Sequence, residues 1–223
     1  MTKKIVLEDL NKPDFFHSLF NRISEFYIMN KRKVISSAGA VILILLIILA
    51  WSVYRYYYEK DAWNQYAKIE QSTLTSSISD DLLIKQYRNL SLKYSGSEAS
   101  ILSNYRLGNL YFKKNDIDSA VNSYEKFITQ ASDRNDFKVL SYSGLAYCYE
   151  TKKDYKKALQ TLQQAEKVEA GKNFGTFIYR DMGRLYEEMN NRNEALKYYK
   201  KALEQSIDPT VTMFIKRKIA LVS

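Results

Sequence analysis

Residues 182–202 read MGRLYEEMNNRNEALKYYKKA, and this stretch decides the fold of the chain. Small and large apolar side chains alternate in it at helical spacing, at Met182, Gly183, Tyr186, Ala195, Tyr199 and Ala202. A polar run at 190–193 separates the first three positions from the last three, so the pattern predicts two helices joined by a tight turn. The small residues let the two helix axes approach closely, and the tyrosines fill the space between them.

The same signature occurs twice more upstream. The first copy consists of Leu107, Gly108, Tyr111, Ala120 and Tyr124, and the second of Leu145, Ala146, Tyr149, Ala158 and Leu162. The alanine that opens the second half of each copy recurs after 38 and then 37 residues. A helix pair of this kind leaves one apolar face uncovered, so neighbouring pairs must stack. The sequence therefore predicts an all-α fold built from stacked helix pairs.

The repeated signature resembles the tetratricopeptide repeat family, whose units are helix–turn–helix pairs. The third copy, which runs on to Asp208 and Pro209, matches the family pattern best. Two features depart from that pattern. Asn104 stands where the family carries an aromatic residue near the start of the first helix, and both periods exceed the usual length of about 34 residues. We expect loops at 133–136 and 170–173 to take up the excess.

The resemblance implies a tetratricopeptide-type α-solenoid of about three to four helix pairs. Three repeats occupy 98–209, and 55–97 forms a helical stalk with a degenerate first pair. In that pair the outgoing helix continues to about Ser77, and Asp80 or Asp81 caps a partner helix from Leu82 to Tyr94. A capping helix at 210–223 covers the last pair, with Val211, Phe214, Ile215, Ile219 and Val222 on one face and Lys216, Arg217 and Lys218 opposite.

An uncharged segment at 34–54 precedes the repeats. As a helix its 21 residues reach about 31 Å, which matches the hydrocarbon thickness of a bilayer, so we expect it to span a membrane. Lys31, Arg32 and Lys33 directly before it predict a cytoplasmic segment at 1–33 and a C-terminal domain on the far side. A cleaved signal peptide is the alternative, but the stretch is too long and Ile48 stands where a small residue is needed.

The cytoplasmic segment carries an apolar stripe that begins after Pro13 and consists of Phe15, Phe16, Leu19, Phe20, Ile23, Phe26 and Tyr27. The stripe predicts an amphipathic helix over 13–30 that lies on the inner leaflet, with His17 on its polar side. A helix that docks on a partner protein is the alternative interpretation.

The composition argues against catalysis. His17 is the only histidine and Cys148 the only cysteine, so the outer part lacks the commonest general base and a thiolate metal site. Its acidic pairs, Asp80-Asp81 and Glu187-Glu188, are adjacent in sequence and do not converge on a helix. The net charge is +9, but basic and acidic residues are interspersed along the chain, and this pattern does not favour nucleic-acid binding. We expect no enzyme activity, no metal or other cofactor and no small-molecule substrate.

Protein binding is what the architecture favours, because stacked first helices line a concave groove. By repeat register this predicted groove presents Leu102, Tyr105, Asn109, Phe112, Leu140, Tyr147, Glu150, Phe177, Arg180, Arg184 and Glu187. Tyrosine and arginine often anchor protein contacts, and an apolar strip suits an extended or unfolded polypeptide. The sequence leaves two alternatives open. Phe112 and Phe177 either face the groove or belong to the core between pairs, and Glu150 and Glu187 are either a polar patch or ordinary surface charge.

One N-terminal anchor followed by a small repeat domain is similar to the membrane-anchored tetratricopeptide-like family that includes the ancillary subunit of the bacterial Sec (SecYEG) translocon. The resemblance implies a single-pass protein of the bacterial inner membrane. Its periplasmic domain would contact secreted or envelope polypeptides, translocon subunits and periplasmic chaperones. The alternative is a structural scaffold that tethers one folded partner in an envelope assembly, cell-division or outer-membrane biogenesis complex.

Overall fold

The computed structural model describes residues 15–75 and 78–223, and within these ranges it contains helices and no strand. The α-helices are α1 (Phe15–Met29), α2 (Lys31–Thr75), α3 (Asp80–Lys93), α4 (Glu98–Lys113), α5 (Ile117–Gln130), α6 (Asp136–Thr151), α7 (Tyr155–Lys167), α8 (Gly175–Glu188), α9 (Arg192–Glu204) and α10 (Pro209–Val222). The prediction of an all-helical chain is confirmed for these residues. Several predicted features lie outside them, namely Pro13, Ser77 and the side chains of Phe15, Phe16 and His17.

The chain divides into two compact units between Tyr56 and Tyr57. In the N-terminal unit, the apolar side chains from Val41 to Leu49 on α2 are exposed. Among the described helices, α2 alone is long and apolar enough to cross a bilayer, judged by length and composition. A signal sequence near an N-terminus passes the same test.

The second unit begins with the last part of α2, which packs against α3. Ala62, Tyr66 and Ile69 from α2 are buried together with side chains of α3 such as Leu83 and Leu90. These are the apolar positions that face each other along the two helices, so they form the core of a first helix pair.

The N-terminus of α3 differs from the sequence prediction. Ser79 caps the helix, and its hydroxyl accepts a hydrogen bond from the backbone N–H of Leu82. Asp80 and Asp81, which were predicted as caps, lie in the first helical turn, where their charges are favourable to the helix dipole. The cap prediction was wrong because three consecutive residues were each able to cap and only the backbone decides between them.

Three helix pairs follow, α4 with α5, α6 with α7 and α8 with α9, and each is closed by the same turn. The second residue after the first helix of each pair adopts positive φ, at Asn115 (61°), Lys153 (60°) and Asn190 (57°). The next residue caps the second helix by accepting a backbone N–H three positions later, at Asp116, Asp154 and Asn191. One local solution therefore recurs in all three pairs.

The segments that link neighbouring pairs are more ordered than the predicted loops. Residues Glu169–Phe174 form a 3-10 helix between α7 and α8. The backbone N–H of Ala170 donates to the carbonyl of Asp133 at 2.9 Å, which ties this segment to the preceding inter-pair connection. The two connections that hold the residues in excess of the usual period are thus joined by a backbone hydrogen bond.

The last helix, α10, packs on the pair formed by α8 and α9 through Ile215 and Val222, which are buried. Two side chains depart from the predicted faces. Phe214 is exposed, and Lys218 turns inward to form an ion pair with Glu187 at 3.0 Å. The helix is rotated relative to the prediction because Ile215 and Val222 set the inward face, and Lys218 lies on that face between them.

Candidate protein-binding surface

The first helices of the three repeats, α4, α6 and α8, carry the residues predicted for the groove. We call this side of the second unit the first-helix face. Three apolar side chains on it are open to solvent, with exposed fractions of 36% for Phe112, 37% for Leu140 and 44% for Phe177. Phe112 and Phe177 therefore do not belong to the buried core between pairs. Each of the three helices contributes one of these three side chains.

Other predicted groove residues contact neighbouring helices instead. The ring of Tyr105 lies 5.0 Å from that of Phe137 and 5.8 Å from that of Phe127, measured between centroids. Leu102 packs on the core of the first pair. Asn109 accepts a hydrogen bond at 2.7 Å from the Tyr124 hydroxyl, so its side chain is engaged inside its own repeat. The side chains of these three residues therefore pack within the domain and do not project from the first-helix face.

The charged residues of the face are paired with each other. Arg184 on α8 forms an ion pair with Glu150 on α6. The hydroxyl of Tyr147 on α6 donates to Asp181 on α8 at 3.0 Å, and Asp181 also pairs with Arg180 at 2.8 Å. Arg180 and Arg184 were predicted as anchors for a partner. In the structure Arg184 joins two repeats to each other, whereas Arg180 pairs with Asp181 on its own helix.

Glu187 is held in the same way at the C-terminal end of the face. It accepts a hydrogen bond from Tyr199 at 2.7 Å and forms the ion pair with Lys218. Burial opposes its ionisation, but the hydrogen bonds from Tyr199 and Lys218 outweigh burial and lower the pKa of the Glu187 carboxyl. The carboxylate is therefore charged at neutral pH and links α8 to α9 and α10.

A further polar cluster, which the sequence reasoning missed, joins the first pair to the first repeat. Arg106 on α4 pairs with Glu70 on α2 at 2.9 Å and donates to the Tyr66 hydroxyl at 3.0 Å. The Tyr87 hydroxyl on α3 donates to Glu70 at 2.6 Å. Burial raises the pKa of Tyr66 to about 12, and it also raises the pKa of Tyr87, to which the bond with Glu70 adds.

A signal for these contacts was present in the sequence. Glu70 and Arg106 are 36 residues apart, and both Glu150 with Arg184 and Tyr147 with Asp181 are 34 apart. Stacked first helices bring together complementary side chains whose separation in sequence is slightly shorter than one repeat period. Phe137, which is exposed and contacts Tyr105, was also missed, and its aromatic ring at the start of α6 was the available signal.

The residues predicted to pack the repeats lie between the helices of their pairs. Twelve are buried: Leu107, Gly108, Ala120, Tyr124, Leu145, Ala146, Ala158, Met182, Gly183, Ala195, Tyr199 and Ala202. Tyr111, Tyr149 and Tyr186 are half-buried. Within the residues that the structure describes, no three His, Cys, Asp or Glu side chains cluster closely enough to hold a metal ion.

The model of one family, the tetratricopeptide repeat-like domain, matches residues 25–222. The chain belongs to this family. No curated protein matches the sequence. The family membership agrees with the three stacked pairs, and tetratricopeptide repeat-like domains are in general modules for protein–protein interaction.

Solved structures of low sequence identity share this tetratricopeptide repeat-like fold. A structure of MamA has a TM-score of 0.56 and 17% identity, over 74% of this chain and 80% of MamA. Repeats of a putative kinesin light chain from Podosopora anserina have a TM-score of 0.57 and 12% identity, over 74% of this chain and 86% of that chain. The apo form of RapI has a TM-score of 0.60 and 14% identity, over 73% of this chain and 62% of RapI. At these identities the likeness concerns the fold alone.

Proposed function

We propose that this chain is a membrane-anchored protein-binding module whose first-helix face holds an extended, apolar segment of another polypeptide. The observation that carries the proposal is the contrast on that face. Its predicted charged residues are paired within the chain, whereas Phe112, Leu140 and Phe177 remain exposed. What the face offers a partner is therefore apolar surface, whose burial is favourable by about 25 cal/mol per Å².

The anchor is part of the proposal. The uncharged stretch of α2 has the length of a membrane span, and the basic residues 31–33 favour a cytoplasmic N-terminus. We place the repeat domain in the periplasm of a bacterium, next to the inner membrane. A translocon-associated ancillary or chaperone-like subunit combines these features, because it meets chains that are still unfolded and apolar. The proposal includes no catalytic step.

The scaffold alternative, in which one folded partner is tethered, is less well supported. It predicts that the tethered partner is lost when the charges of Arg180 and Arg184 are reversed. Both guanidinium groups are already bound, by Asp181 and by Glu150. A partner would have to break these pairs and leave carboxylates without their cations, which is unfavourable in a partly buried site.

Photocrosslinking in the membrane tests the proposal. A benzophenone amino acid at Leu140 or Phe177 is expected to capture several different secreted polypeptides in transit. The same group at Gln163 or Lys200, which are exposed on the second helices, serves as the control. Equal capture from the control positions would contradict the proposal, and one dominant folded protein at every position would favour the scaffold.

Protease treatment of sealed spheroplasts tests the topology separately. We expect the portion after Tyr58 to be digested while the membrane stays intact. Complete protection of that portion would contradict the periplasmic placement without bearing on what the first-helix face binds.

A further inference from the structure

A second kind of crevice lies on the opposite helices of the solenoid. Each crevice is bounded by the second helix of one pair and by both helices of the next, and we call it an inter-pair groove. The first, between α3 and the α4–α5 pair, encloses a cavity of about 300 Å³. Its walls carry Arg88, Ser91, Asn104, Ser119, Asn122 and Lys126.

The second inter-pair groove has equivalent positions but a different chemistry. It lies between α5 and the α6–α7 pair, and the repeat register places Glu125 at the position of Arg88 and Gln164 at that of Lys126. Tyr142 occupies the position of Asn104. The positive charge of Arg88 is thus replaced by the negative charge of Glu125, and the positive charge of Lys126 by the neutral side chain of Gln164. Lys157, which lines this groove, lies 3.3 Å from Asp154 and is therefore paired.

The third equivalent position, between α7 and the α8–α9 pair, is filled by aromatic rings. Tyr198 stands where the first groove has Ser123, and its ring stacks on Tyr186 at 5.3 Å between centroids. The ammonium group of Lys201 lies 5.1 Å from the Tyr198 ring and 5.2 Å from the Tyr179 ring. The first groove differs because small polar residues replace these rings.

Arg88 and Lys126 both line this cavity, and among the described residues neither forms an ion pair with a carboxylate. No acidic side chain in the described ranges lines this cavity. Asp81 borders the adjoining crevice together with Arg88, but it is paired with Lys114. Asp118, at the start of α5, is paired with Lys152. Two positive charges therefore face a polar cavity without compensation.

The lining between the two cations offers neutral hydrogen-bonding groups. Ser91 and Asn104 are 3.5 Å apart across the α3–α4 contact, and Asn104 is anchored by its bond to the Ser100 carbonyl. Asn122 and Ser119 lie along the α5 wall. Hydroxyl and amide groups can pair with peptide N–H and C=O groups, while Arg and Lys pair with carboxylates.

We propose that this first inter-pair groove binds an acidic segment of a protein partner, with a Glu or Asp carboxylate held between Arg88 and Lys126. The site is independent of the proposed function, because its two cations come from α3 and α5 and it selects charge rather than apolar surface. Asn104, the residue that departs from the family's aromatic, keeps the groove polar and open.

Binding of a labelled peptide to the full chain in nanodiscs of zwitterionic lipid tests this site. The probe is a fluorescent decapeptide of alternating Glu and Ser, compared with the same peptide carrying Gln for Glu. At low salt we expect fluorescence anisotropy to show at least tenfold tighter binding of the Glu peptide. The double variant R88Q/K126Q should lose this preference. The control K156Q/K200Q removes two exposed lysines from α7 and α9, has the same net charge, and should keep it.

A second variant keeps both cations and fills the groove. Ser123→Tyr copies the third repeat, where Tyr198 stacks on Tyr186, and its new ring would stack on Tyr111. It is expected to weaken binding of the Glu peptide at least tenfold. Equal affinity for the two peptides, an equal loss in K156Q/K200Q, or unchanged binding by Ser123→Tyr would each overturn the proposal. Binding of phosphatidylglycerol vesicles through Arg88 and Lys126, with no binding of the peptide, would replace it with a lipid site.

Discussion

At the residue scale, the packing of each repeat depends on one matched pair of positions. Gly108 faces Tyr124, and Gly183 faces Tyr199, whereas Ala146 in the middle repeat faces the smaller Leu162. A Cβ atom on Gly108 would lie 2.6 Å from ring atoms of Tyr124. The sequence predicted close approach at these positions, but the dependence on ring size follows only from the structure.

Gly108→Ala is therefore expected to destabilise the fold. Helix propensity alone would favour alanine by about 1 kcal/mol, but displacing a buried ring costs about 1–3 kcal/mol, so we expect a net loss. Urea unfolding measures it. The control is Ala146→Gly, which relieves no clash and should lose about 1–2 kcal/mol through lower helix propensity and the loss of a buried methyl group. A stability gain in Gly108→Ala would show that the ring yields easily.

Lys153 offers the opposite kind of prediction. It adopts positive φ in a turn whose equivalents are Asn115 and Asn190, and a lysine is less suited to that conformation than asparagine. Lys153→Asn should raise the free energy of unfolding by about 0.5–1 kcal/mol, measured by the urea midpoint. Lys156→Asn, within α7, is the matched control and should not stabilise. No gain at 153 would argue against strain in this turn.

At the element scale, helix number and the turns between them follow from the sequence, because Asn, Asp and Lys runs interrupt clear apolar stripes. The polar runs at 114–116 and 153–154 lie in the turns that the structure shows, and the run at 190–193 covers the last of these turns and the start of α9. The cap of α3 and the rotation of α10 did not follow. Ser79 and Asp80 compete for the cap position of α3, and Phe214 and Lys218 compete for the inward face of α10. Only tertiary packing decides between them.

The cluster of α2, α3 and α4 predicts a response to alkaline pH. The folded chain raises the pKa of Tyr66 to about 12, above the ordinary value near 10, so the folded state holds this proton more tightly than the unfolded chain. Its contribution is complete below pH 10 and is lost as pH rises toward 12. Urea midpoints across this window should fall more steeply in the wild type than in Tyr66→Phe. Equal slopes would contradict the assignment.

At the scale of the whole molecule, the positions that face outward on the first helices follow from repeat register, but their partners do not. From the sequence, Glu150 is assigned to a polar patch or to ordinary surface charge, and Arg184 to the residues that anchor a partner. The structure joins them because stacking brings residues 34 apart into contact. The exposed apolar surface was predicted only as one of two readings for Phe112 and Phe177, since exposure depends on how far neighbouring helices reach.

The central claim is that the first-helix face binds polypeptide through apolar surface rather than charge. The most direct measurement is the affinity of the full chain in nanodiscs for an uncharged, fluorescent peptide of alternating leucine and serine. We expect saturable binding that changes less than about twofold over a tenfold rise in salt, because apolar contacts are not screened. F112S/L140S/F177S should abolish it, and I207S/M213S/L221S, which removes three exposed apolar side chains elsewhere, should not. Binding that disappears in salt, or that survives F112S/L140S/F177S, would contradict the account.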